Sequence, residues 1–194
     1  TAFTFAGSRE TELFGWCVKF IEEPAPGPQL LAIGGPGWPV VNHRFANLGR
    51  VSIVGYTGEY KYWVGAANNE FLGFSLASLP PTISGVRRIA VGSPGGRIWL
   101  AGETSARQNV GIVSVYEIRT ELQGPVSYIT TAEAGSRFGC SLDSDATGLI
   151  IGAPGAVAGG KVYIHGLPLS ADQISDPNDM VFVREIQAQG VVDF

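Results

Sequence analysis

Residues 138–166 read FGCSLDSDATGLIIGAPGAVAGGKVYIHG, and this stretch decides the fold prediction. Apolar side chains alternate with polar ones after Gly139, then run together at 149–151 and alternate again at 161–165. The middle run ends in Gly-Ala-Pro-Gly, which is a turn signal, and Gly160 precedes the last run. The pattern predicts three short β-strands joined by turns.

The same order of landmarks occurs twice more, upstream of this stretch. Its copies are ELFGWCVKF (12–20), LLAIGGPG (30–37) and GRVSIVGY (49–56), then EFLGFSLAS (70–78), RIAVGSPGG (88–96) and GIVSVYEI (111–118). Gly15, Gly73 and Gly139 anchor the three units and lie 58 and 66 residues apart. A fourth, more variable strand is predicted after each unit, at 60–64, 126–130 and 180–186. Tandem four-stranded units of this length are typical of propeller blades, in which glycines let the strands nearest the axis approach closely.

Composition agrees with this reading. The chain has 194 residues, is 45% hydrophobic and only 15% charged, and contains 27 glycines, which favours strands and tight turns over helices. The net charge of -4 gives no basic footprint for nucleic acid. No apolar run reaches the length needed to span a bilayer, so we expect no direct membrane span.

We therefore predict an all-β fold, a partial β-propeller of three four-stranded blades. The predicted blades are 9–66, 67–132 and 133–188, within a single propeller portion covering 1–194. Residues 1–8 are interpreted as the outer strand of a preceding blade, and 189–194 as the start of a further one. Three blades cannot close a ring without leaving open strand edges, so we expect further residues or another chain to complete it.

Residues 138–166 closely resemble an FG-GAP repeat, the unit of integrin α-subunit propellers. The repeat also occurs in the non-catalytic part of glycosylphosphatidylinositol-specific phospholipase D. Phe14-Gly15 with residues 33–36 is a second copy, and Leu72-Gly73 with residues 91–94 is a third that lacks the Phe and the Ala. The resemblance implies a non-catalytic propeller for protein interaction or adhesion, in an extracellular or lumenal setting.

Many FG-GAP repeats bind calcium in an Asp/Asn-rich turn between their first two strands. Here the first turn, 21–29, offers only Glu22 and Glu23, and the second, 79–88, has no carboxylate. The third turn is short, although Asp143 and Asp145 make it the one candidate metal site. We therefore predict no cofactor and no bound calcium, with Asp143 and Asp145 simply forming a hydrated turn.

The sequence contains no recognisable set of catalytic residues, and we predict that the chain is not an enzyme. Its two histidines, His43 and His165, lie near no other metal-ligating residue in sequence, and there is no Gly-x-Ser-x-Gly elbow. Cys17 and Cys140 occupy equivalent strands one residue out of phase, so we expect two free thiols instead of a disulfide.

Aromatic residues supply the candidate interaction sites, namely Trp38, Tyr60, Tyr62 and Trp63. Exposed aromatic side chains commonly anchor protein interfaces or stack on sugars. Packing between blades is the alternative interpretation of the cluster at 60–63. Trp16, which alternates with Val18, is expected in the core.

Three functions remain open at this point. The first is protein binding through propeller loops or open blade edges. The second is a scaffold subunit of a large assembly inside an organelle, favoured by the absence of Asn-x-Ser/Thr sequons and by the unpaired cysteines. The third is a carbohydrate-binding or accessory module of a larger hydrolase, which the phospholipase resemblance would suggest.

Overall fold

In the part of the chain that the structure describes, twelve strands form three four-stranded antiparallel sheets. The computed structural model describes residues 4–22, 29–39, 46–55, 58–100, 103–119, 123–131, 133–157, 159–166 and 182–187. Within these ranges the helical content is one short 3₁₀ turn at Glu10–Glu12. None of them forms a helix long and apolar enough to cross a membrane. The predicted all-β class is confirmed.

Each sheet is a meander whose strands pair in chain order, and each corresponds to one predicted blade. Blade 1 contains β1 (Cys17–Ile21), β2 (Leu30–Gly35), β3 (Arg50–Gly55) and β4 (Gly58–Val64). Blade 2 contains β5 (Ser75–Leu79), β6 (Arg87–Ser93), β7 (Ile112–Ile118) and β8 (Ser127–Ile129). Blade 3 contains β9 (Ser141–Ser144), β10 (Gly148–Ala153), β11 (Lys161–Gly166) and β12 (Phe182–Gln187).

The blades pack face to face, with β5 lying between β1 and β9. One buried core joins blades 1 and 2, where Val51 and Ile53 belong to the same cluster as Ile89. A second core joins blades 2 and 3, where Val113 belongs to the same cluster as Ile151. Removing these side chains from water makes the main favourable contribution to the free energy of packing the blades together.

Glycines set the distance between the second strand of one blade and the turn that opens the next. A Cβ added to Gly34 would lie less than 3.0 Å from the carbonyl oxygen of Gly73, and one added to Gly92 would be as close to that of Gly139. Real Cβ atoms essentially never come so near, so these positions require glycine. The close approach of backbones that the glycine pattern predicts is therefore present at both junctions.

Every blade begins with the same tight turn. The turns span 13–16, 71–74 and 137–140, and we call them the FG turns. Their first residues, Leu13, Phe71 and Arg137, have φ of 55°, 59° and 53°, and their glycines, Gly15, Gly73 and Gly139, have φ of 88°, 85° and 84°. In each turn the amide of the fourth residue donates to the carbonyl of the first. A glycine with positive φ at the third position is what a type II turn requires.

Two of the FG turns also bond to the preceding blade. The amides of Phe71 and Leu72 donate to the carbonyls of Asn47 and Leu48 on blade 1, and those of Arg137 and Phe138 donate to Asn109 and Val110 on blade 2, all at 3.0 Å. The blades are thus joined by main-chain hydrogen bonds as well as by their apolar cores.

Residues 4–8 are the described part of the segment interpreted as the outer strand of a preceding blade, and they pair with no strand of the described chain. Instead this segment folds back on blade 1, where the amide of Ser8 donates to Glu12 Oε2 at 2.9 Å. The Glu12 side chain is buried and lies 3.4 Å from the guanidinium of Arg50. A strand needs a neighbour to pair with, and here the segment binds locally instead. Residues 1–3 and the predicted further blade at 189–194 lie outside the described residues.

Gly92→Ala is expected to lower the free energy of unfolding by about 1–3 kcal/mol, because the new methyl group meets a backbone carbonyl that cannot move independently of blade 3. Urea unfolding followed by circular dichroism measures the change. Gly55→Ala is the matched control, since its Cβ would meet only Leu30 Cδ2 at 3.6 Å. Equal stabilities for the two variants would contradict the packing described above.

Candidate functional site

The FG turns bring a set of apolar and basic side chains to one end of the three blades. The first and last residues of each turn form this set, which we call the FG-turn surface: Leu13, Trp16, Phe71, Phe74, Arg137 and Cys140. Leu13, Trp16 and Arg137 are exposed, and the other three are half-buried. The surface therefore combines accessible apolar area with one cationic group.

Turn geometry explains why these positions face outward. The second residue of the turn points into the protein, so Leu72 and Phe138 are almost completely buried in the cores between blades. The first and last residues of the turn are left at the end of the blade, before the strand begins. A turn whose second residue anchors the blade thus displays its first and last residues.

A cleft of about 230 Å³ lies within this surface, where blades 2 and 3 meet. Its lining residues are Phe71, Phe74, Pro94, Gly95, Asn109, Arg137 and Cys140. Two phenylalanines and a proline give it apolar walls. In the described part of the structure Arg137 forms no ion pair, so its guanidinium is available to an incoming acceptor.

Trp16 extends the apolar surface from the cleft to blade 1. Its ring centroid lies 5.3 Å from that of Phe74, at an interplanar angle of 50°. The prediction that Trp16 lies in the core is wrong, because 54% of the residue is exposed. Trp16 precedes β1, and it is Cys17 that turns toward blade 2, where its Sγ donates to the carbonyl of Gly73 at 3.1 Å.

Trp38 and Tyr62, two of the predicted interaction residues, are engaged by arginine. The Arg50 guanidinium carbon lies 4.6 Å from the Trp38 ring centroid and 4.4 Å from that of Tyr62. Arg9 lies 4.9 Å from the same Trp38 ring. These cation–π contacts cover ring faces that a sugar would need for stacking. The Tyr60 side chain lies outside the described residues.

Trp63, another predicted interaction residue, is only 8% exposed. Its ring centroid lies 4.6 Å from that of Tyr116 in the core between blades 1 and 2. Its Nε1 donates to the carbonyl of Gln123 at 2.7 Å. In this position Trp63 packs two blades together and offers no free surface.

The candidate metal ligands Asp143 and Asp145 are bonded separately. Asp143 Oδ1 lies 3.1 Å from Lys19 Nζ, which holds the pKa of that carboxyl below its usual value. Asp145 Oδ1 accepts from the hydroxyl and amide of Thr147 and from the amide of Gly148, and its pKa is lowered for that reason. Over the described ranges, no three His, Cys, Asp or Glu residues are grouped so that they could hold a metal.

The two cysteines are free, and their surroundings favour the protonated thiol. Burial raises the pKa of the Cys140 thiol, while the nearby Arg137 opposes this rise. Burial also raises the pKa of Cys17, to about 12. Because the thiolate is the nucleophile, neither cysteine is activated for covalent chemistry at neutral pH. His165 is buried beside Phe138, and His43 lies outside the described residues.

In comparisons with known proteins, no family model matches this sequence and no curated protein is similar to it. The function must therefore be inferred from the geometry of the FG-turn surface.

The FG-turn surface could have been predicted from the large side chains at repeated positions around the anchoring glycines. Phe71, Phe74, Arg137 and Cys140 were not among the predicted interaction residues. They occupy the first and last positions of the FG turn in their repeats, as Leu13 and Trp16 do in the first. A repeated position that carries a large side chain next to a required turn glycine indicates display at the end of a blade.

Trp63→Ala is expected to lower the free energy of unfolding by about 3–5 kcal/mol, because it empties part of a core. Trp16→Ala is the matched control at an exposed tryptophan and should cost less than about 1 kcal/mol. Chemical unfolding of both variants measures the difference. A larger loss for Trp16→Ala would contradict the placement of these two side chains.

Proposed function

We propose that this chain is a non-catalytic protein-binding module built on a partial propeller of the FG-GAP type, with the FG-turn surface as its binding site. The observation that carries the proposal is the set of large apolar side chains and one arginine collected at the end of three consecutive blades. Aromatic residues and arginine are the types that dominate binding energy in protein interfaces.

The FG-GAP part of the proposal is supported by what the repeated glycines do. All three FG turns have the same backbone conformation, and the glycines of the first two Gly-x-Pro segments, Gly34 and Gly92, lie where the following blade packs. The residues that carry the resemblance thus have one structural task that recurs along the chain. Fold resemblance does not give function, so the partner must be argued from the surface itself.

The cleft favours a partner segment that places an acidic side chain next to an apolar one. The Arg137 guanidinium can bind a carboxylate through two parallel hydrogen bonds, which a lysine could not do. Phe71 and Phe74 provide an apolar wall for a neighbouring leucine or aromatic side chain. A short loop or peptide containing such a pair would bury both the charge and the hydrocarbon in one contact.

The groups in this cleft are suited to binding. Arg137 can donate hydrogen bonds but cannot take up a proton, and the raised pKa of Cys140 keeps its thiol protonated. The rigid sheets behind the turns hold the surface in place, so little conformational entropy is lost when a partner binds. The adhesion role and the extracellular setting remain predictions from the resemblance.

Peptides selected from a displayed random library against this chain test the proposal. We expect enrichment of segments that pair Asp or Glu with an apolar residue, and at least tenfold weaker binding to Arg137→Glu and to Phe74→Ser. Fluorescence anisotropy of a labelled peptide measures these affinities.

Arg119→Glu and Ile83→Ser are the matched controls for that experiment. Both residues are exposed, and they lie at the opposite ends of β7 and β5 from the FG turns. The controls should bind within about twofold of the original chain. Selected peptides that bind all four variants equally would contradict the assignment of the site.

A further inference from the structure

The junction of blades 1 and 2 shows which side chain fills the position of the cleft one repeat earlier. At that junction the last residues of the two FG turns are Trp16 and Phe74, whose ring centroids lie 5.3 Å apart. This separation is typical of aromatic rings in contact. At the junction of blades 2 and 3 the corresponding residues are Phe74 and Cys140, and both line the cleft. The second ring of the pair is therefore missing at the cleft.

The thiol of Cys140 is much smaller than an aromatic ring, and this difference leaves open space. The cleft measures about 230 Å³. An apolar cavity of about 150 Å³ takes up benzene, so the cleft has room for one phenyl ring. Its walls include Phe71 and Phe74, which are half-buried. The cleft thus corresponds to an aromatic side chain that is present at one junction and absent from the next.

A second difference between the two junctions leaves a polar group available at the cleft. At the junction of blades 1 and 2, Asn47 Nδ2 donates to Asn69 Oδ1 at 3.2 Å. Their counterparts at the next junction are Asn109 and Gly135, and a glycine has no side chain to accept this bond. Among the residues that the structure describes, no group hydrogen-bonds to the Asn109 side chain. Asn109 is exposed and lines the cleft.

The polar groups of the cleft are complementary to a carboxylate. The Asn109 amide and the Arg137 guanidinium can both donate hydrogen bonds to carboxylate oxygens. The charge of Arg137 is near enough to Cys140 to oppose the rise in the pKa of its thiol. The cation therefore lies beside the space in which the ring is missing.

We propose that the cleft binds a peptide segment in which an aromatic side chain is next to a carboxylate. This inference rests on the proposed function and identifies the apolar part of the ligand. The aromatic ring would pack against Phe74 and over Cys140, in the position that the Phe74 ring has beside Trp16 at the preceding junction. The carboxylate would bind Arg137 and Asn109. A ring is favoured over a leucine because contacts between rings stabilise beyond the burial of apolar area.

Two focused peptide libraries test this inference. Each peptide of the first contains Asp next to Phe, Tyr or Trp, and each peptide of the second contains Asp next to Leu, Ile or Met. We expect the chain to select peptides from the first library, and we expect at least tenfold weaker binding when the ring of a selected peptide is replaced by Leu. Fluorescence anisotropy of the labelled peptide measures the affinity.

The two libraries separate this inference from the proposed function. Aliphatic peptides that bind as tightly as aromatic ones would overturn the inference and leave the protein-binding function in place. Failure of both libraries to yield a binder would overturn both.

Cys140→Phe supplies the missing ring from the chain itself. We expect it to fill the cleft and to weaken binding of a selected peptide at least tenfold. The blade accommodates a ring at this position, because Trp16 and Phe74 occupy it in the other two repeats. Chemical unfolding should therefore show no loss of stability. Ile83→Phe, at an exposed residue on the opposite end of blade 2, is the matched control. Equal binding by the two variants would overturn the inference.

Gly135→Asn restores the side-chain pair of the preceding junction. Asn69 and Gly135 both have positive φ, 56° and 78°, and a Cβ on Gly135 would meet nothing within 4 Å. With Asn109 engaged, the selected peptide should bind about three- to tenfold more weakly. Gly124→Asn, at an exposed glycine between β7 and β8, is the matched control and should bind within about twofold of the original chain. Unchanged binding to Gly135→Asn would contradict the contact of the carboxylate with Asn109.

Alkylation of Cys140 by iodoacetamide shows whether the selected peptide occupies the cleft. Bound peptide should slow this reaction at least fivefold, as measured by mass spectrometry of the digested chain. Cys17, which donates to the carbonyl of Gly73, is the internal reference, and its rate should not change. A peptide that binds without protecting Cys140 would lie elsewhere and would overturn the inference.

Discussion

The contact of one backbone with another, between the second strand of one blade and the FG turn of the next, governs this structure. Gly34 and Gly92 have no side chain at the point where the carbonyl oxygens of Gly73 and Gly139 arrive. Any larger residue would push the FG turn away from the preceding blade, and the sheet faces of the two blades would no longer meet. The burial of Val51 against Ile89 therefore depends on the missing side chain of Gly34 at the junction of blades 1 and 2.

The turn that delivers this carbonyl also creates the surface from which function is inferred. Its middle residue is drawn into the core, and its glycine is committed to the junction, so the two outer residues remain at the end of the blade. Because the turn is repeated, those side chains form a row along consecutive blades. The requirements of folding and the display of the proposed binding surface are thus met by the same four residues.

Much of the fold could be predicted because the sequence pattern of each strand occurs in three successive repeats. The fourth strands, expected at 60–64, 126–130 and 180–186, occur at Gly58–Val64, Ser127–Ile129 and Phe182–Gln187. It was harder to predict which face of each strand is buried. Alternation along a strand shows which residues share a face, but only the neighbouring blade decides which face is covered, and so Trp16 was placed in the core although it is exposed. In the same way, sequence could not show that Trp63 packs between blades while Tyr62, 47% exposed, lies against Arg50.

Native-state hydrogen exchange at the amides of Leu72 and Phe138 tests the central claim most directly. These two amides belong to one blade each and donate to a carbonyl of the blade before it. If the glycine junction holds the blades as one unit, both amides should exchange only through global unfolding, with the same free energy as amides in the middle of β6. Exchange as fast as that of an exposed loop would show that the blades are not joined in this way.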